Sequence, residues 1–187
     1  MTLSLSIVSI ALGLLIAAAQ CFGLSKPAAY SAALRAFPRS FPWGCALMLL
    51  GTGWFLYYLS LESISDFASY KSYLLVGFAA IGIGSCIFVR DFLAVRGLAV
   101  VMLLLGKLLV DTGRPFLPVT SWVLVVQVWA YVLIFFGMWL TISPWRLRDW
   151  VTWATANGDR LKMICAIRLA FGVLLISLGL TAFRVKG

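Results

Sequence analysis

Apolar runs long enough to cross a bilayer fill most of this chain, and no other feature constrains its fold as strongly. A hydrocarbon core about 30 Å thick takes roughly 20 residues of helix at 1.5 Å per residue. Runs near that length occupy residues 3–23, 41–61, 73–88, 92–110, 118–142 and 163–183. In a chain of 187 residues they leave only short connections, and 11% of the residues are charged, where a soluble domain has about 25%. The expected fold class is therefore all-α: a polytopic integral membrane helical bundle with about six transmembrane helices, forming one transmembrane domain over residues 1–187. No Lys or Arg precedes Lys26, so the first run lacks the positive flank of a cleaved signal peptide and reads as a retained span.

The fourth run holds two charges, Arg96 near its start and Lys107 near its end. Each lies about a turn from an end, where a long side chain reaches the headgroups, so the run still reads as a span. The distribution of basic residues agrees. With six spans and the N-terminus outside, Lys26, Arg35, Arg39, Arg90, Arg96, Arg146, Arg148, Arg160 and Lys162 fall on the inner side, and Lys71, Arg114, Arg184 and Lys186 on the outer. An excess of Lys and Arg marks the cytoplasmic side. The expectation is both termini on the non-cytoplasmic side of a cell membrane, the bacterial inner (plasma) membrane. The net charge of +9 then serves topology and anionic headgroups rather than nucleic acid.

Two linkers share a plan. Ser25 and Pro27, and again Ser143 and Pro144, end an apolar run and open a short amphipathic segment. Tyr30, Ala33, Leu34 and Phe37 recur at helical spacing in the first, and Leu147, Trp150, Val151 and Ala154 in the second. Both read as interfacial amphipathic helices, broken by Phe37-Pro38-Arg39 and by Asn157-Gly158-Asp159. Arg35, Arg39, Arg146 and Arg148 are the expected contacts to anionic lipid. The shared plan suggests a two-span hairpin repeated at 3–61 and 118–183 around a central hairpin at 73–110, and convergence on a common hairpin explains it equally. Small residues four apart, Ala80 and Gly84 on one run and Ala166 and Ala170 on another, let helices approach closely, within the chain or between subunits.

The chain has no histidine, which removes imidazole-held metals and every Ser-His or Cys-His nucleophile pair. Its cysteines, Cys21, Cys45, Cys86 and Cys165, lie at least 24 positions apart and read as packing residues. No catalytic residue, metal site or cofactor is expected. Glu62, Asp66, Asp91, Asp111, Asp149 and Asp159 all fall in loops or at ends of runs, which disfavours proton-coupled transport through a buried carboxylate. Arg168 is the other charge inside a span, and such a residue is a candidate functional position. Gln20 and Gln127 are the notable uncharged polar residues within spans; each suits a hydrogen bond between helices or the lining of a polar path. Lys107 precedes Asp111 by four residues, the spacing of a pair on one helix face. Arg168, Gln127, Lys107 and Asp111 make up the candidate polar set. Trp129, Tyr131 and Trp139 could stack on a pigment or quinone, although membrane-interface belts are the commoner use of such residues.

The string Lys107-Leu108-Leu109-Val110-Asp111-Thr112-Gly113-Arg114-Pro115 resembles the first motif of the type 2 phosphatidic acid phosphatases, in which the basic residues hold the substrate phosphate. That family also requires two histidines and a Ser-Gly-His element downstream. This chain has no histidine and continues Phe116-Leu117-Pro118-Val119, so the resemblance implies at most an anion-holding remnant. Expectations of function fall accordingly. The leading one is a non-catalytic accessory subunit or scaffold of a membrane complex, with a protein partner or a second copy in the membrane. The alternative is a small transporter or channel for an anionic solute or lipid headgroup.

Overall fold

A computed structural model describes residues 4–62 and 70–184. Residue 3, Asp66 and Lys186, named above, lie outside the described residues. The chain is an all-helical bundle with six helices long and apolar enough to span a membrane. In order they are α1 (Leu5–Ser25), the short α2 (Pro27–Ala36), α3 (Phe41–Leu61), α4 (Lys71–Phe88), α5 (Leu93–Gly113), α6 (Val123–Ile142), the short α7 (Trp145–Ala154) and α8 (Gly158–Leu180).

Two boundaries lie five residues from those read off the sequence, each for a local reason, and the others shift by three residues or fewer. The fifth apolar run begins at residue 118, but α6 begins at Val123. Pro118 has no N–H for a helical ladder, and the residues around it form turns in which the Val119 and Thr120 amides both donate to the Phe116 carbonyl at 3.0 Å. The last span starts five residues earlier than its apolar run. Asn157 caps it, its side-chain oxygen accepting from the Asp159 amide at 3.0 Å, and Asp159 sits in the first turn, where a carboxylate suits the positive end of the helix dipole. Arg160 and Lys162 are therefore helical residues of α8.

The two short helices form where expected. In α7, Val151 and Ala154 of the expected apolar stripe are buried while Arg148 and Thr152 are exposed. In α2 the stripe is half-buried at Tyr30 and Leu34, and Arg35 is exposed. A 3-10 turn over Phe37–Arg39 ends the first amphipathic segment and buries Pro38.

The fold divides into two compact units, one of residues 1–35, 105–134 and 148–187, the other of residues 36–104 and 135–147. In the first unit α1 and α8 run antiparallel at close range. Ser6 Oγ donates to the Gly179 carbonyl at 2.7 Å, and one turn-pair deeper Gly13 faces Gly172. Leu5, Val8, Leu109, Val123, Val126, Leu175 and Phe183 form its core. Gln127 of α6, buried, donates from Nε2 to the Val110 carbonyl at 3.3 Å, in the last turn of α5.

In the second unit α3 lies along α5, with Gly44 against Leu93 and Ala94, Gly97 against Met48, and Gly51 against Val100. Val95, Ala99 and Leu140 form the buried cluster, with Phe92 packed on it. Phe92 adopts φ 53° immediately before α5. That left-handed geometry is costly for a bulky residue, and here the ring's apolar contact holds it while the Phe92 carbonyl accepts the Val95 and Arg96 amides.

Candidate functional site

The polar residues singled out in the sequence do not form one site. Lys107 Nζ and Asp111 Oδ2 are 2.7 Å apart on one face of α5, both about half exposed, and Gln127 bridges α6 to α5 as described. Arg39 and Arg146 are exposed. Arg148 is exposed as well and reaches the neighbouring Asp149, Nη2 to Oδ1 at 3.0 Å. Arg35 is committed to a protein partner: Nε donates to Thr155 Oγ1 and Nη2 to the Thr155 carbonyl, both at 2.7 Å. This pair of bonds ties α2 to the end of α7.

Those bonds fix the wall of a cleft in the first unit. It is lined by Gln20 of α1, Tyr30 and Leu34 of α2, Trp150, Val151 and Ala154 of α7, and Leu161, Ile164, Cys165 and Arg168 of α8, and its volume is about 20 Å³. The sequence explains its position. Ser6, Gly13 and Gln20 are spaced seven apart on α1, as are Cys165, Gly172 and Gly179 on α8, so each trio lies along one helix face. At the first two levels a small residue meets a small residue and the backbones close up. The same register sets Gln20 opposite Cys165. Gln20 is larger than the residues it follows; one turn further on Gly23 again lies close to Cys165, and residues of α2 and α7 line the cleft beside Gln20.

Two groups in the cleft have chemistry to offer. Gln20 is 5% exposed, and its Oε1 is buried without a hydrogen-bond donor from the protein. Arg168 lies eleven residues into the 23 of α8, yet its side chain reaches α7: the guanidinium carbon is 5.0 Å from the centroid of the Trp150 ring. A cation on an aromatic face gains about 0.5–2 kcal/mol, set against the roughly 2.5–3.5 kcal/mol that a central Arg costs on insertion. No carboxylate lines the cleft, so its charge is that of Arg168. Arg160 repeats the motif outside the lining of the cleft, 4.5 Å from the Trp153 ring with Nη1 donating to the Trp153 carbonyl at 3.0 Å.

Sequence reasoning found Arg168 and noted Gln20, but it did not join them. It also missed Trp150, Tyr30 and Thr155 as site residues. The signal that could have joined them is the paired seven-residue spacing. The aromatic residues considered for a pigment or quinone have separate surroundings: Trp129 packs edge-on to Phe171 at 5.3 Å, Trp139 lies tilted against Phe135 and Phe136, and Tyr131 is exposed. Among the described residues, no three Cys, Asp or Glu side chains converge as metal ligands would. Comparison with protein-family models, with curated proteins and with solved structures found nothing that matches this chain.

Proposed function

We propose that this membrane protein is a non-catalytic accessory subunit or scaffold of a membrane complex. It would sit in the bacterial inner membrane with both termini on the non-cytoplasmic side and receive a transmembrane helix of its partner. One observation supports this most. The close approaches between helices in both units are made at small residues, at Gly13, Gly172 and Gly179 in one and at Gly44, Gly51 and Gly97 in the other. On α4, Gly82 packs against Thr52 of α3, but the small residues on another face of the helix have no helix against them. Gly77 has nothing within 4 Å of where a Cβ would stand, and Gly84 has only Phe88 of its own helix at 3.9 Å. Ala80, between them on the same face, is exposed. Tyr73 and Phe88, 75% and 84% exposed, stand at the two ends of this face. In lipid, where apolar burial drives nothing, such a small-residue face favours close packing by another helix. Ala166 and Ala170 on α8 are exposed as well.

Purification of the full chain from its native membrane in mild detergent tests the reading. The expected result is a stoichiometric partner, or a second copy, that is lost from the double variant Gly77→Leu, Ala80→Leu while the thermal unfolding of the chain is unchanged. Recovery of a lone, well-behaved monomer overturns it.

A second reading, transport of an anionic solute or lipid headgroup, draws on the placement of Arg168 at the cleft. It requires flux in proteoliposomes that Arg168→Ala abolishes without loss of folded protein.

A further inference from the structure

We propose that the cleft beneath α2 and α7 binds a phosphate ester that carries a hydrogen-bond donor beside its phosphate, the chemistry shared by glycerol and ethanolamine phospholipid headgroups and by soluble glycerol phosphate. The phosphate pairs with Arg168 and the donor enters the pocket to meet Gln20. This inference goes beyond the proposed function and needs no partner subunit.

Four observations converge on it. The carbonyl oxygen of the Gln20 amide is buried with no protein donor, and a buried acceptor left unpaired is costly. It calls for an O–H or N–H from outside the chain. The Arg168 guanidinium lies against the Trp150 ring, which leaves the N–H groups at the guanidinium edge to make the paired bonds that phosphate accepts. The cleft supplies no carboxylate to take them. Its volume of about 20 Å³ admits one group of the size of a water molecule, a terminal hydroxyl or ammonium and nothing larger. The phosphate therefore stays at the mouth, where Arg168 is exposed. Tyr30 and Trp150 line the same cleft, aromatic residues of the kind that settle at headgroup depth.

The bridging use of an intramembrane glutamine does not account for Gln20. Gln127 shows what that use looks like, with its amide bonded to a carbonyl of the neighbouring helix. Gln20 has no such bond for its oxygen.

The test reads lipid retention. The full chain, purified in mild detergent, is equilibrated with equal amounts of phosphatidylglycerol, phosphatidylethanolamine and phosphatidylcholine of identical acyl chains, and bound lipid is counted by native mass spectrometry. The first two, which carry a donor, are expected to exceed phosphatidylcholine about tenfold, the effect of one buried hydrogen bond made or left unmade. Gln20→Leu is expected to erase that preference while phosphate-dependent retention persists. Arg168→Gln is expected to lower retention of all three about tenfold, and Arg168→Lys to restore part of it. Melting and size-exclusion profiles of each variant identify folded protein; if Arg168→Gln does not fold, the lost preference in Gln20→Leu decides. A parallel arm adds glycerol 3-phosphate or inorganic phosphate and reads the melting temperature. Stabilisation by glycerol 3-phosphate without a lipid preference assigns the site to the soluble ester, and a lipid preference assigns it to the headgroup. Equal retention of all three lipids together with no stabilisation by glycerol 3-phosphate overturns the proposal, as does unchanged retention in folded Arg168→Gln.

Discussion

Gly13 of α1 and Gly172 of α8 approach so closely that neither has room for a methyl group: a Cβ on Gly13 would stand 2.7 Å from the Gly172 carbonyl oxygen, and one on Gly172 would stand 3.0 Å from the Gly13 carbonyl oxygen. The obstructing atoms are backbone, which cannot swing aside as a side chain can. Gly13→Ala should therefore push the helices apart and cost about 1–3 kcal/mol. Gly53→Ala, with nothing within 4 Å of the new methyl, should be neutral or stabilising by up to about 1 kcal/mol through helix propensity. Detergent unfolding of the two variants side by side checks this, and equal destabilisation would contradict the packing.

The anchoring of α2 rests on Arg35 and Thr155. Thr155→Val removes the acceptor for Nε but leaves the backbone carbonyl for Nη2, so it should cost less than Arg35→Ala. The Arg35 side chain is exposed, and with that screening the larger loss should be about 1 kcal/mol. Hydrogen exchange of α2 amides is the sensitive readout. It should quicken in Arg35→Ala, to a lesser degree in Thr155→Val, and remain unaltered in α3.

Trp150 is expected to stabilise the charge that α8 carries into the membrane. A double-mutant cycle over Trp150→Leu and Arg168→Leu should return a coupling of about 0.5–1 kcal/mol, the range for a cation on an exposed ring face. A coupling of zero would remove the ring from the account of how Arg168 is tolerated.

Gln127 and Gly113 form a matched pair. The amide of Gln127 lies where a Cβ on Gly113 would project, and it donates to the Val110 carbonyl. Gln127→Leu should cost about 1 kcal/mol by removing that hydrogen bond between helices. Gly113→Ala should cost a similar amount by displacing the same amide, and the two together should cost less than their sum. Thermal unfolding of the three variants measures it.

Much of the fold was legible because lipid imposes a length rule on the chain. Residues 41–61 read as a span and fold as one, since an unpaired backbone amide in hydrocarbon costs several kcal/mol and only a helix of that length removes them all. The amphipathic spacing of Leu147, Trp150, Val151 and Ala154 likewise gave α7, whose hydrogen-bonding repeat is local. The candidate site was legible only in fragments. Arg35 reads in sequence as a free basic residue on a polar face, and nothing within a few positions of it announces Thr155, 120 residues away.

What the sequence by itself determined, then, is the number of spans, the two amphipathic helices and the chemistries that a chain without histidine cannot perform. These follow from hydrophobic length, from helical period and from composition, all of which are local or additive. Which faces meet was decided only by the tertiary structure. The seven-residue rows on α1 and α8 become a seam, and Gln20 and Arg168 become neighbours in one cleft, because the two helices run antiparallel in one particular register. That register is fixed by backbone contact at Gly13 and Gly172, a relation between distant residues that no single stretch of sequence contains.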